Sequence, residues 1–146
     1  MSKLLKLPDI LQGLYSRFIV DNAPWGIPEG YMLCVYHGNL DDGTPIACAI
    51  GMFDRDHLFT KNAASVDTLI DNNLFYMVFD NTISGKFMSN LQGIHDRCAK
   101  LTECSPDHAQ ETRSIFERSI ESIAASHYIE LDRMSEEQFW KRFDTP

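Results

Sequence analysis

Two apolar, β-forming runs between residues 31 and 51 are separated by a polar turn that contains Asp42-Gly43. Two such runs around an Asp-Gly dipeptide predict a β-hairpin. A two-residue turn at Asp42-Gly43 pairs His37 with Cys48, whereas a longer five-residue loop places Cys34 opposite Cys48. The dipeptide favours the shorter turn, and both registers stay open at this stage.

Four segments carry apolar residues at helical spacing: residues 8–21, 84–101, 106–127 and a short stretch after Ser135. A proline opens the first and the third segment, where its fixed φ and missing N–H suit the first turn of a helix. Ser135 and the glutamine three residues later form a capping box, which predicts a last short helix.

The apolar run 74–79 fits either a buried strand or a buried helical turn, because periodicity does not separate the two over six residues. We interpret it as a strand. The chain is therefore predicted to be a single α+β domain over residues 1–146. Its short antiparallel sheet is built on the 31–51 hairpin and is packed by three to four helices.

Charge and hydropathy narrow the class of protein. The formal net charge is −8, and residues 101–146 hold ten acidic and five basic side chains. A nucleic-acid-binding surface needs a basic stripe, and no such stripe is visible, so we expect no direct contact with nucleic acid. No apolar run is long enough to span a membrane, and residues 1–8 lack the pattern of a signal peptide. We expect a cytoplasmic protein that does not bind membranes.

Cysteine and histidine are the candidate catalytic residues. His95 and Cys98 are three residues apart on a predicted helix, so their side chains are neighbours, and Asp96 follows His95. Cys48 faces His37 in one register of the hairpin. A thiolate beside a base is a nucleophile, but core packing also explains all five residues, and we favour packing.

Metal binding has weaker support. Cys34, His37 and Cys48 would form a partial zinc site, but the cysteines lack the close spacing of zinc ligands. The segment Asp54-Arg-Asp56-His57 follows an apolar run, as the paired aspartates of haloacid-dehalogenase-type phosphotransferases do, but the rest of that motif is missing. An aspartate cap on a solvated helical turn explains the segment better. We expect no metal and no cofactor.

Four short motifs carry a resemblance: Tyr36-His-Gly38, Asp42-Gly43, Cys48-Ala-Ile-Gly51 and Leu91-Gln-Gly-Ile-His-Asp96. They resemble the Tyr-Arg-Gly, Asp-Gly, Cys-Ala-Ile-Gly and Leu-Gln-x-Ile-His-Asp motifs of a group of small uncharacterised phage and bacterial proteins. The resemblance covers about a quarter of the chain.

The chain departs from that group at His37, where the group has arginine, and at Met52-Phe53-Asp54, where the group tends to Leu-Ile-Pro-Asp. The resemblance implies no activity. It favours a phage or prophage setting, in which small accessory proteins bind or inhibit host proteins.

The last predicted helix presents three large aromatic side chains, Phe139, Trp140 and Phe143. A helix this short needs a surface to pack against. That surface is either the rest of the same chain, which we favour, or a second molecule, since tryptophan and phenylalanine are enriched at interfaces. These three residues are the candidate binding residues, and a homodimer is one outcome of the second alternative.

The preferred functional hypothesis is a small acidic binding protein without catalytic activity, a phage or prophage accessory factor that acts on a host protein. It depends on the acidic C-terminal third and on the absence of common catalytic motifs. A small enzyme that uses cysteine and histidine is one alternative. A protein that captures a small ligand between sheet and helices is the other.

Overall fold

A computed structural model of the chain describes residues 3–27, 35–59 and 65–146. Its described part contains five α-helices and one two-stranded antiparallel sheet, which confirms the predicted α+β class. Within these residues, no helix combines the length and the apolar character that crossing a membrane requires.

The first predicted helix forms in two parts. Helix α1 spans Leu7–Leu14 and continues as a π-helical segment, Tyr15–Val20. The start is fixed because the Lys6 N–H donates to the Asp9 carboxylate at 2.9 Å. The wider π-helical turns were not predicted, and they rotate the side chains that follow α1 relative to a regular helix.

Helices α3 and α4 confirm the second and third predicted helices. Helix α3 spans Gly85–Cys104 and begins where the Ser84 hydroxyl accepts the Phe87 N–H at 3.0 Å. A 3₁₀ turn, Pro106–His108, leads directly into α4, Ala109–Ser126. The proline therefore begins a 3₁₀ turn, and the α-helix starts three residues later than predicted.

Two shorter helices begin at serine caps. Helix α2 spans Val66–Asp71, and the Ser65 side chain accepts an N–H of its first turn. Helix α5 spans Glu136–Asp144, and the predicted capping box between Ser135 and Gln138 is present. Both serines therefore act as N-caps, satisfying amide donors that a helix leaves unpaired at its first turn.

The hairpin is smaller than predicted. Strand β1, Gly38–Asn39, pairs with β2, Pro45–Ile46, so that Gly38 lies opposite Ile46. The loop is residues 40–44, so it has the five residues of the longer alternative. The register, however, agrees with neither of the two considered for Cys48, which lies beyond the paired residues. Cys34, its partner in the five-residue-loop register, lies outside the described residues. After β2 the chain leaves the sheet and forms a 3₁₀ turn, Gly51–Phe53.

Gly51 lets this turn approach the other side of the hairpin. A Cβ atom at Gly51 would overlap the carbonyl oxygen of Tyr36. The Cys48 N–H also donates to the Val35 oxygen at 3.2 Å. These contacts hold the turn beside residues 35–37, which positions the site described below.

The prediction of a strand at residues 74–79 is wrong. Phe75–Met77 is a 3₁₀ turn. Phe75 and, beyond the turn, Phe79 are fully buried, while Tyr76 and Met77 are 37% and 54% exposed. In a strand, Met77 would share a face with Phe75 and Phe79, so its exposure is the pattern of a helical turn. Only Phe79 retains a strand-like contact, an isolated parallel bridge to Leu5.

The core lies where the helices meet. Helix α3 packs against α2 and α4, and α1 with its π-helical extension packs against α4 and α5. The largest fully buried side chains on these helices are aromatic or aliphatic and include Leu11, Leu14, Phe18, Met88, Leu91, Phe116 and Phe139.

Candidate functional site

His95, one candidate catalytic residue, is a buried core histidine. Its Nε2 atom accepts the Gly26 N–H at 3.0 Å, so the ring proton is on Nδ1, which donates to the Asp96 carboxylate at 3.0 Å. Burial lowers the pKa of His95, which keeps the ring neutral. The ring packs against Phe18 and Trp25, with centroids 5.2 and 5.5 Å away. This histidine holds residue 26 against α3.

The two described candidate cysteines are also enclosed. Cys98 is 2% exposed, and burial raises the pKa of its thiol, which disfavours the nucleophilic thiolate. Cys48 is fully buried, and its sulfur accepts the Gly51 N–H at 3.4 Å. A substrate in solvent does not reach either sulfur in this structure.

The three aromatic residues of α5 pack on their own chain. Phe139 and Phe143 are 1% and 4% exposed. Trp140 is half-buried, its ring lies edge-on to Phe53 with centroids 6.2 Å apart, and the Arg55 guanidinium lies 3.9 Å above it. The surface that this helix covers is therefore the protein's own core.

Asp54 is the centre of a different polar cluster. Its carboxylate is fully buried and accepts three hydrogen bonds. Oδ1 accepts the Leu58 N–H at 2.8 Å, while Oδ2 accepts the Phe59 N–H at 2.8 Å and a hydrogen bond from His37 Nε2 at 3.0 Å. The segment after the 3₁₀ turn thus folds around the carboxylate, which also fastens the hairpin to this segment.

His57 completes the cluster from the same segment. Its imidazole stacks on that of His37 with ring centroids 3.8 Å apart and planes inclined by 18°. The backbone of His57 has a φ of 53°, a left-handed conformation that histidine adopts more often than most residues with a side chain. This conformation turns the chain back over Asp54, and the ring of His57 remains exposed.

These side chains line a cleft of about 550 Å³ beside the hairpin. Four of its lining residues are basic: Arg17, His37, Arg55 and His57. Among the described residues that line it, the single acidic one is Asp54, whose carboxylate is already hydrogen-bonded. The cleft therefore concentrates basic groups in a chain whose net charge is −8.

Each arginine is fixed by one carboxylate. Arg17, in the π-helical segment, donates to Glu136 at 2.9 Å, and its buried Nε has no hydrogen-bond partner among the described residues. Arg55 forms two hydrogen bonds with Asp144, both 2.9 Å long. Since a guanidinium has five N–H donors, both side chains keep donors beyond these pairs.

A metal or phosphotransferase role for residues 54–57 gains no support from this geometry. Three donors occupy most of the lone pairs of the Asp54 carboxylate, and Asp56 is exposed. Within the described ranges, no group of three or more histidine, cysteine, aspartate or glutamate residues is arranged to hold a metal ion. The predicted helical turn after Asp54 is absent, because His57 has a φ of 53° and residues 54–59 form no helix. Asp54 instead accepts the Leu58 and Phe59 N–H groups, and it is buried rather than solvated.

From the sequence, Asp54 and His57 were candidates within one segment and His37 was a candidate in the hairpin, and the two were not connected. Residues 37 and 54 are 17 positions apart, and the pair forms only because the turn packs beside the hairpin. Arg17 and Arg55 were missed as site residues. Nothing in the local pattern of either arginine indicates a cleft, because the π-helical segment places one and the fold of residues 54–59 places the other.

The chain matches no protein family model, no curated protein and no solved structure at a significant level. The likeness of the hairpin and of helix α3 to small phage and bacterial proteins stays a resemblance. The expectations of a host-protein partner and of a cytoplasmic location stay predictions from sequence.

Proposed function

We propose that the protein binds a small anionic ligand in the cleft beside the hairpin. The observation that carries this proposal is the convergence of two guanidinium groups and two imidazole rings on one recess, within an acidic chain. Clefts of roughly 300–1,000 Å³ are the usual size of small-molecule sites, and this one is about 550 Å³.

The net negative charge of the chain does not oppose this proposal at short range. Exposed charges farther apart than the Debye length, about 8 Å at physiological ionic strength, are largely screened. The groups that line the cleft therefore dominate its interaction with a bound anion. Asp54 contributes a negative charge, which its three hydrogen-bond donors partly screen. Glu136 and Asp144 also lie within this range, as the partners of Arg17 and Arg55.

The test is thermal unfolding with millimolar sodium phosphate or sodium acetate at constant ionic strength. A ligand that binds only the folded state stabilises it by RT ln(1 + [L]/Kd), about 1.4 kcal/mol at ten times the dissociation constant. We expect a saturable rise in the melting temperature with phosphate. Excluded-salt effects, in contrast, grow with concentration without saturating.

His57→Asn is the informative variant, because asparagine tolerates the left-handed backbone and removes the imidazole. His127→Asn is its matched control, since His127 is exposed at the end of α4 and does not line the cleft. The proposal predicts that the first substitution weakens the saturable shift and the second leaves it unchanged. Equal saturable shifts in both variants, or none in the wild type, would contradict it.

A further inference from the structure

Helix α5 holds the two arginines that line the cleft. Glu136, Trp140 and Asp144 follow one another at intervals of four residues, so they lie on one face of this helix. Glu136 pairs with Arg17 at the start of α5, and Asp144 pairs with Arg55 at its end. The three α5 residues are not among the described residues that line the cleft. Any effect that they have on the site is therefore transmitted by the arginines.

Trp140 connects the two ion pairs. Its indole N–H donates to the Glu136 carboxylate at 3.2 Å, and the other oxygen of this carboxylate accepts an Arg17 N–H at 2.9 Å. The Arg55 guanidinium lies 3.9 Å from the centroid of the Trp140 ring, which is a cation–π contact. One side chain outside the cleft therefore contacts Arg55 directly and reaches Arg17 through Glu136.

The orientation of the two arginines matters because their charges are already balanced. Glu136 and Asp144 neutralise one guanidinium each. An anion is therefore recognised by the guanidinium N–H groups that remain, and hydrogen bonds of this kind depend on direction. The side chains of Arg55 and Asp144 are 43% and 53% exposed, and an ion pair this exposed fixes its partners weakly. The Trp140 ring is the firmer support of Arg55.

We propose that α5 assembles the anion site and that Trp140 is its positioning residue. This inference rests on the proposed function and concerns the regulation of the same site, since the cleft presents its arginines to an anion only while α5 is docked. The coupling is reciprocal, so a bound anion favours the docked helix to the same extent.

The experiment measures the affinity for sodium phosphate by isothermal titration calorimetry at pH 7, at constant ionic strength and well below the melting temperature. Trp140→Leu removes both links of the indole without changing the charge of the protein. Trp140→Phe keeps an aromatic ring beside Arg55 and loses only the N–H to Glu136. Phe139→Leu is the matched control, because Phe139 is buried on the same helix and neither link involves its ring.

We expect Trp140→Leu to weaken phosphate binding by about threefold to tenfold, since the ligand must then order an arginine that the ring no longer holds. Trp140→Phe should recover part of this loss, because its ring still supports a cation. Phe139→Leu should lower the melting temperature and leave the dissociation constant unchanged. A merely structural role of Trp140 would change the melting temperature of these variants but the affinity of none.

Hydrogen exchange followed by mass spectrometry tests the coupling in the wild type, so it decides the matter if Trp140→Leu does not fold. With phosphate at ten times its dissociation constant, opening of α5 that disrupts the site should become about tenfold rarer, and the protection of the α5 amides should rise accordingly. Helix α2 is not among the described elements that line the cleft. Its local opening leaves the site intact, so its protection should change less.

Three results would overturn this inference and leave the anion-binding function standing. The first is phosphate binding as tight in Trp140→Leu as in the wild type, and the second is equal weakening in Trp140→Leu and Phe139→Leu. The third is binding to the wild type that does not protect α5. No binding of phosphate to the wild type would overturn both proposals.

Discussion

Replacing Asp54 by asparagine tests the polar cluster that shapes the cleft. Asparagine keeps the size of aspartate but offers one acceptor oxygen and one donor NH₂. In its best orientation the amide oxygen takes the place of Oδ2 and keeps the hydrogen bonds to the Phe59 N–H and to His37. The NH₂ group then faces the Leu58 N–H, a donor that is 2.8 Å from the present carboxylate. In the reverse orientation the NH₂ faces the Phe59 N–H instead, and His37 keeps its hydrogen bond only in the tautomer whose Nε2 accepts.

The cost follows from that count. Losing one charge-assisted hydrogen bond, with a buried donor left unpaired, destabilises a protein by about 1.5–3 kcal/mol. For a chain of this size this loss corresponds to a fall in the melting temperature of roughly 5–10 °C. Asp56→Asn is the matched control, because Asp56 is exposed two residues away and such surface changes usually stay within about 0.5 kcal/mol.

The assay is urea unfolding followed by circular dichroism, with the free energy of unfolding extrapolated linearly to water. We expect Asp54→Asn to lower this free energy by at least about 1.5 kcal/mol more than Asp56→Asn does. If both variants lie within about 0.5 kcal/mol of the wild type, Asp54 does not organise the cleft as described.

Three other predictions concern the core. Because burial lowers the pKa of His95, the unfolded chain takes up that proton at a higher pH than the folded chain. The free energy of unfolding should therefore decrease as the pH drops below about 6.5, by up to about 1.4 kcal/mol per pH unit. His95→Gln should reduce this slope. Phe139→Ala should lower the free energy of unfolding by about 3–5 kcal/mol and leave the mass measured by light scattering unchanged. Loss of a wild-type dimer in this variant would instead show that α5 is an interface. Iodoacetamide at pH 7 should modify the exposed Cys104 well before Cys48 or Cys98, as measured by mass spectrometry; early labelling of a buried cysteine would contradict its placement in the core.

The helices could be predicted because their start signals are local. The Ser135 cap acts within one turn of chain, and the structure reproduces it with its partner Gln138. The run 74–79 could not be assigned in this way. Its geometry depends on which of its side chains the rest of the fold buries. In the structure these are Phe75 and Phe79, while Met77 between them is exposed.

The candidate site depends on tertiary contacts that no local pattern encodes. His37 meets Asp54 because Gly51 permits close packing of the turn on the hairpin. Arg17 reaches the cleft from a π-helical segment, for which the sequence has no reliable signal. Histidine and aspartate could therefore be named as candidates, but their grouping required the fold.

Anion binding at the cleft is tested most directly by mapping backbone amide shifts by NMR during a titration with sodium sulfate at pH 6. We expect saturable shifts concentrated at cleft residues such as Gly38, Asn39, Gly51 and His57, and nearly constant shifts along α4. Saturable shifts that fall elsewhere, or cleft amides that do not respond to sulfate, would show that the cleft is not an anion site.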